Sequence, residues 1–219
     1  RQITMQKSIK NPTDEDQRKL EELFLLRADV GKNAKNKVPR LQELLKNFEF
    51  TLKDTLIYCA NFNQMDAVRD VLDDFEVSTQ KVTGEESTNP TKYFNMKSQR
   101  QHILEGFGKG ELDVLLAVDC LDEGVDIPSA KIGIILASSG NEKEFIQRRG
   151  RLMRVSPGKE VAEIFDFCVL PSAQEDDSGI KNLIRVELNR VVEFSDNALN
   201  RDAVRELVED HIGGLLDDR

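Results

Sequence analysis

The chain has 219 residues, 39% of them hydrophobic and 32% charged, with a formal net charge of −9 and a pI near 4.9. That length can bury a core without disulfide or metal staples, no apolar run approaches a bilayer-spanning helix, and the N-terminus lacks a signal-peptide pattern. The acidic balance argues against a uniformly basic nucleic-acid surface and leaves only local positive potential to attract a polyanion.

The first residue is Arg1 rather than methionine, which points to a piece of a longer polypeptide or a processed chain. Asp14 to Val30 spaces Leu20, Leu23, Phe24 and Leu26 as a helix does, behind the capping-type residues Thr13 and Asp14. Gly31 to Lys37 reads as a loop. Val38 to Phe48 reads as a second helix, with Pro39 in its first turn and Leu41, Leu44, Leu45 and Phe48 on one face.

From Asp54 the texture changes, and short apolar runs alternate with helical patterns. Strands are predicted at 55–60, 77–82, 113–118, 132–137 and 162–167, and helices at 63–75, 96–107 and 143–149. In the first of these helices Met65, Val68, Val71 and Leu72 face inward, and residues 84–95, around Pro90, are a polar loop. The alternation implies right-handed βαβ crossovers and a mostly parallel sheet covered on both faces, an α/β fold. A polar linker at 171–179 precedes helices at 180–194 and 197–207. The predicted layout is therefore a helical lead-in at 1–50, an α/β domain at 51–170, and a linker with a helical tail at 171–219.

Cys59, Cys120 and Cys168 lie far apart in apolar stretches, with no C-x-x-C pair and no histidine at ligand spacing. Buried thiols in a reducing cytoplasm are expected, and no metal site. No G-x-x-x-x-G-K-[ST] loop is present, and Asp122-Glu123 is only superficially a magnesium-binding pair, so the chain does not encode a complete ATPase.

The densest chemistry lies between Glu144 and Arg154, where Arg148, Arg149, Arg151 and Arg154 crowd together. Arg151 and Arg154 are three apart and can point the same way on a helical turn, and Gly150 permits close backbone approach. Two permanently charged, forked donors suit a polyphosphate and could act as arginine fingers on a transferring γ-phosphoryl group. The cluster alone leaves open a solvated basic patch or a set of ion pairs. Glu123 reads as a loop carboxylate, and His102 and His211 as solvated or packed histidines. Phe62 reads as packing at a helix start rather than as a base-stacking residue. Tyr93 and Phe94 could form a stacking wedge or a lid under their loop, and the lid is the expectation.

Gln147-x-x-Gly150-Arg151-x-x-Arg154 resembles motif VI of superfamily 2 helicases. Val118 to Pro128 is similar to motif V, Leu56 to Asn61 to the motif IV strand, Val82 to Glu85 to the next strand-loop motif, and Arg100 to Gly110 to the helix ending in Phe-x-x-Gly. The motifs fall in the family's order over about residues 53–170. Leu-Asp-Glu-Gly-Val-Asp-Ile-Pro at 121–128, with the Pro157-Gly158-Lys159 that follows the arginines, looks most like the xeroderma pigmentosum group B type of DNA repair helicase and related restriction-like helicases. The DEAD-box group usually has His where Gln147 stands.

The resemblance implies the second RecA-like lobe of an ATP-dependent DNA helicase or translocase. It implies ATP and Mg2+ held mainly by an N-terminal RecA-like lobe of the same polypeptide, and single- or double-stranded DNA as partner. Arg151 and Arg154 would be the fingers. Gln147, Gly150, Gly124 and Asp126 would lie on the ATP side, with Asp126 near the ribose. Thr83, Gly84, Asn61 and Val118 would face the nucleic acid. Many relatives carry Thr or Ser where Val118 stands, so only its backbone N–H is available to a phosphate. A non-catalytic binding module with this fold and an RNA helicase lobe are the alternatives.

Overall fold

The computed structural model describes residues 7, 9, 12–47, 51–83, 85–87, 89–118, 127, 129–137, 150, 152–170 and 178–216, the side chains of 178, 179, 182, 183 and 211–216 excepted. Two compact units emerge: Asp29–Phe167, and a second formed by Arg1–Ala28 with Cys168–Arg219.

Five parallel strands make the sheet of the first unit, in the order β2-β3-β1-β4-β5. They are β1 (Thr55–Cys59), β2 (Thr79–Val82), β3 (Val114–Val118), β4 (Ile132–Ile135) and β5 (Glu163–Asp166). The three central strands are buried along their whole length, as expected when both faces of a parallel sheet are covered. Register is set by Thr55, which lies opposite Val114 on one side and Ile132 on the other.

Helices α1 (Asp14–Lys32), α2 (Lys37–Asn47), α3 (Phe62–Asp73) and α4 (Gln99–Gly108) precede or link the strands. Side chains alternate across a strand, so Ile57, Cys59, Leu116, Val118, Ile132 and Ile134 share one face of the sheet. They form a single cluster with Met65, Val68 and Leu72 of α3 and Leu41 and Leu45 of α2. Helix α2 is thus part of this core. Its first residue, Lys37, is only 4% exposed, and its ammonium donates to the Leu136 carbonyl just beyond β4. A lysine survives there because its stem packs while its head finds an acceptor.

Helix α4 begins later than the apolar pattern at 96–107 suggests. Ser98 and Gln101 form a capping box, with Ser98 Oγ accepting from the Gln101 N–H and Gln101 Oε1 from the Ser98 N–H, both at 3.1 Å. Thr13 and Asp16 make the same reciprocal exchange at the start of α1. No residue of α1 is buried.

In the second unit α5 (Ser178–Ser195) and α6 (Arg201–Leu216) pack through Ile184, Leu188 and Val208. Among the described residues no helix is long and apolar enough to cross a membrane.

The β2 and β3 entries are joined by Asp113. Its carboxylate accepts from the Ser78 N–H at 2.9 Å and from the Ser78 hydroxyl at 2.6 Å, and these bonds hold its pKa below the ordinary 3.8. A depressed folded pKa gives stability that is fully present above the unfolded value and is lost as the pH falls through the folded one. Asp113→Asn is expected to cost about 1 kcal/mol at neutral pH. The gap between variant and wild type in denaturant melts should close below roughly pH 4. A gap that persists unchanged at pH 3 would contradict the assignment.

Candidate functional site

In open α/β sheets, ligands bind beyond the carboxyl ends of the strands where the strand order reverses. Here the chain leaves β1 towards β3 and β2, and leaves β4 towards β5, so the reversal falls between β1 and β4. Asn61 follows β1, Thr83 follows β2, Val118 ends β3, and the run carrying the predicted ATP-side residues of motif VI follows β4.

Asn61 is the N-cap of α3. Its Oδ1 accepts from the Gln64 N–H at 2.9 Å, and its amide donates to Asn33. Gln64 in turn accepts from the Ala60 N–H at 2.8 Å and donates to the Lys32 carbonyl at 3.2 Å, which ties the end of α1 to the end of β1. Both polar ends of the Asn61 side chain are thus engaged locally. The neighbouring Phe62 is 45% exposed rather than packed.

Thr83 is buried at the end of β2. Its N–H donates to both Glu86 carboxylate oxygens, at 2.7 and 2.8 Å, and its hydroxyl donates to Glu86 Oε1 at 2.8 Å. The Thr83 carbonyl accepts from Arg100 at 2.6 Å, and Arg100 pairs with Glu86 at 3.6 Å. An N–H, a hydroxyl and a guanidinium converging on one carboxylate are also the donor set a phosphate would take. Glu86 was not singled out by sequence reasoning, and an acidic residue in a polar loop gives no signal of this kind.

Val118 is 7% exposed and part of the core cluster, so its side chain serves packing. Gly150 and Arg154 are exposed. Arg151, Gln147, Gly124, Asp126 and Gly84 lie outside the described residues, as do Glu123, Cys120 and the helix expected at 143–149. Cys59 is buried on β1, where desolvation pushes its thiol up to about 12, and Cys168 is half-buried.

The stretch between the arginines has a firm seat. Leu152 is 1% exposed and lies over Gly133 in the middle of β4, so close that a Cβ there would come within 2.9 Å of Leu152 Cδ2 and nearer still to Cδ1. The Leu152 carbonyl accepts from the buried Lys159 ammonium. Lys159 is aimed by a tight turn in which its N–H donates to the Ser156 carbonyl at 3.0 Å and Gly158 takes φ +76°. Pro157 followed by a positive-φ glycine is the signature of a type II turn. A glycine inside an apolar strand marks a close approach, so Gly133 was detectable in the sequence.

Residues 36–156, more than half of the chain, match the helicase conserved C-terminal domain family. The chain belongs to that family. It carries the C-terminal RecA-like lobe of a superfamily 2 helicase.

The lobe is 26% identical to the DNA 3'-5' translocase XPB2 of Sulfurisphaera tokodaii over 126 residues, 58% of this chain and 25% of that protein. It is 31% identical to Dicer-like protein 2 of Neurospora crassa over 114 residues, 52% of this chain and 7% of that protein. The helicase lobe thus spans a quarter or less of these relatives. Among solved structures it resembles the C-terminal domain of the DEAD-box protein Dbp5, with a TM-score of 0.51 and 18% identity over 82% of this chain and 93% of that one. It likewise resembles the C-terminal part of the Fun30 ATPase domain, with a TM-score of 0.51 and 18% identity over 84% of this chain and 56% of that one. At such identities the likeness is one of fold, and it agrees with the α/β, RecA-like architecture expected from the sequence.

Proposed function

We propose that this lobe is the second half of an ATP-driven DNA translocase, working on ATP held between it and an N-terminal RecA-like lobe elsewhere in the polypeptide. As that cleft closes, Arg151 and Arg154 reach the γ-phosphate and stabilise the charge that develops during hydrolysis. Gln147 and Gly150 border the same phosphate. Gly124 and Asp126 couple the nucleotide to the nucleic-acid side, with Asp126 beside the ribose. Mg2+ is held by acidic residues of the other lobe, and this lobe alone is inactive.

The observation that carries this reading is the anchoring of the arginine-bearing stretch on β4, one of the two strands between which the sheet reverses. Leu152 on Gly133, with Lys159 beneath its carbonyl, holds that stretch against a rigid element, which is what a finger needs if it is to meet a phosphate reproducibly.

DNA is the proposed strand because XPB2, a DNA translocase, matches across 126 residues, and because Gln147 stands where DEAD-box proteins usually carry His. The backbone is proposed to pass Thr83 and Gly84, with Asn61 holding the neighbouring loop and Val118 offering its N–H. A phosphate reaches the Thr83 donors by displacing the Glu86 carboxylate from them. The test is ATP turnover by the full-length protein with double-stranded DNA, single-stranded DNA or RNA added. Stimulation by DNA is expected. Stimulation by RNA alone would make this the lobe of an RNA helicase, and turnover indifferent to both would favour a binding module that keeps the fold without the work.

A further inference from the structure

The connection from β2 to α4 begins at Thr83 and carries a compact tip at residues 91–97. The tip is closed by paired backbone bonds: the Thr91 N–H donates to the Lys97 carbonyl at 3.0 Å, and the Met96 N–H donates to the Thr91 carbonyl at 2.8 Å. Lys92–Phe94 form a short 3-10 turn inside it. Phe94 is half-buried, with its ring 5.1 Å from that of His102 on α4, so one aromatic of the pair does root the loop. Tyr93 does the opposite of a lid. It is 87% exposed and stands edge-on to Phe94 at 4.8 Å. Met96 beside it is 65% exposed.

The backbone that presents these side chains is unusual. Asn95 and Met96 both lie in the left-handed region, at φ +53° and +62°. Asn tolerates that region, whereas Met does so at a steric cost. No burial offsets the cost, because the side chain faces solvent. Strain of this kind persists where the surroundings over-determine it, and it clusters at sites that grip a ligand.

We propose that Tyr93, braced by Phe94 and flanked by Met96, is a stacking platform for one unpaired nucleic-acid base. This rests on the reading of the lobe as part of a nucleic-acid motor. A flat ring held out from a rigid tip fits the face of a base, and such stacking tolerates any sequence. Lys92, exposed on the same 3-10 turn, supplies positive charge for the adjoining phosphate. The tip leads into α4, whose Arg100 donates to the Thr83 carbonyl. Two apolar side chains among polar neighbours are too small a patch for a stable protein partner, which needs on the order of 800 Å² on each side.

The test uses the full-length protein and two fluorescent probes, a blunt DNA duplex and the same duplex with an unpaired tail. Tyr93→Ala is expected to weaken binding of the tailed probe roughly tenfold and to leave the blunt duplex unchanged, with Tyr93→Trp close to wild type. A 2-aminopurine base in the tail should lose fluorescence on binding wild type and keep it with Tyr93→Ala, a signal that a merely structural role would not move. Because Tyr93 is solvent-facing, the variant should melt with the wild type. Equal loss on both probes, or no loss on either, would overturn the platform and leave the motor reading standing, and no loss on either is also the result expected if the tip docks a protein. If the wild type bound neither probe, the proposed function would itself fail and the platform with it.

Discussion

Gly133→Ala is expected to destabilise the lobe by about 2 kcal/mol, and Gly133→Val by more, read as a fall in the denaturation midpoint. The sign is not the usual one, since a side chain at a strand glycine ordinarily stabilises by restricting the unfolded chain. Space decides it here. Gly133 is opposite Leu56 of β1 and Ile164 of β5, so β4 cannot shift sideways without breaking two ladders. The new Cβ would run into both δ-carbons of Leu152, and Leu152 is held at its carbonyl by Lys159.

What moves, then, is the stretch that carries Arg151 and Arg154. Gly133→Ala should therefore lower ATP turnover by roughly tenfold or more at temperatures where the variant is still folded, since a misplacement of about an ångström is that costly. Nucleic-acid affinity should hardly change. Adding Leu152→Ala returns the missing space, so the double variant should recover turnover relative to Gly133→Ala alone. A Gly133→Ala protein that melts and hydrolyses ATP like the wild type would remove the anchor from this account.

The parts of the fold legible in the sequence were those governed by burial on both faces. Runs such as Thr55-Leu-Ile-Tyr-Cys and Val114-Leu-Leu-Ala-Val admit little but a central parallel strand. The ends were less legible because backbone bonding, not hydropathy, sets them. Leu136 and Ala137 continue the apolar run of β4 but donate to the Tyr58 carbonyl, at 3.0 and 3.1 Å, outside the ladder. Met96 continues the apolar pattern of α4 yet sits at positive φ, two residues before the cap at Ser98. The last helix starts at Arg201 rather than Asn197, after a turn in which the Ala198 N–H donates to the Ser195 carbonyl at 2.8 Å. What α2 covers could not be read from its stripe of leucines alone.

The site divides in the same way. Its motifs and their order were visible through the resemblance, which supplied roles for Gln147, Gly150, Arg151 and Arg154. The contacts made by Thr83 and by Leu152 were not, because each depends on residues brought together by the fold. Glu86 meets Thr83 only through the bend after β2, and Lys159 meets the Leu152 carbonyl only through the Pro157-Gly158 turn.

The largest effect is expected at the arginines themselves. A guanidinium that touches the transferring phosphoryl group is worth roughly 10³-fold or more in rate, because it neutralises charge that exists only in the transition state. Arg151→Ala and Arg154→Ala should each bring turnover close to the unstimulated level while leaving ATP affinity within a few fold. Lysine at either place should rescue poorly, since it keeps the charge but loses the forked donor geometry. The measurement that tests the central claim most directly is therefore ATP hydrolysis by the full-length protein, with and without double-stranded DNA, beside these two variants. DNA-stimulated turnover that collapses when either arginine is removed is the predicted result. Turnover that ignores both the DNA and the arginines would contradict the account and leave the lobe as a binding module.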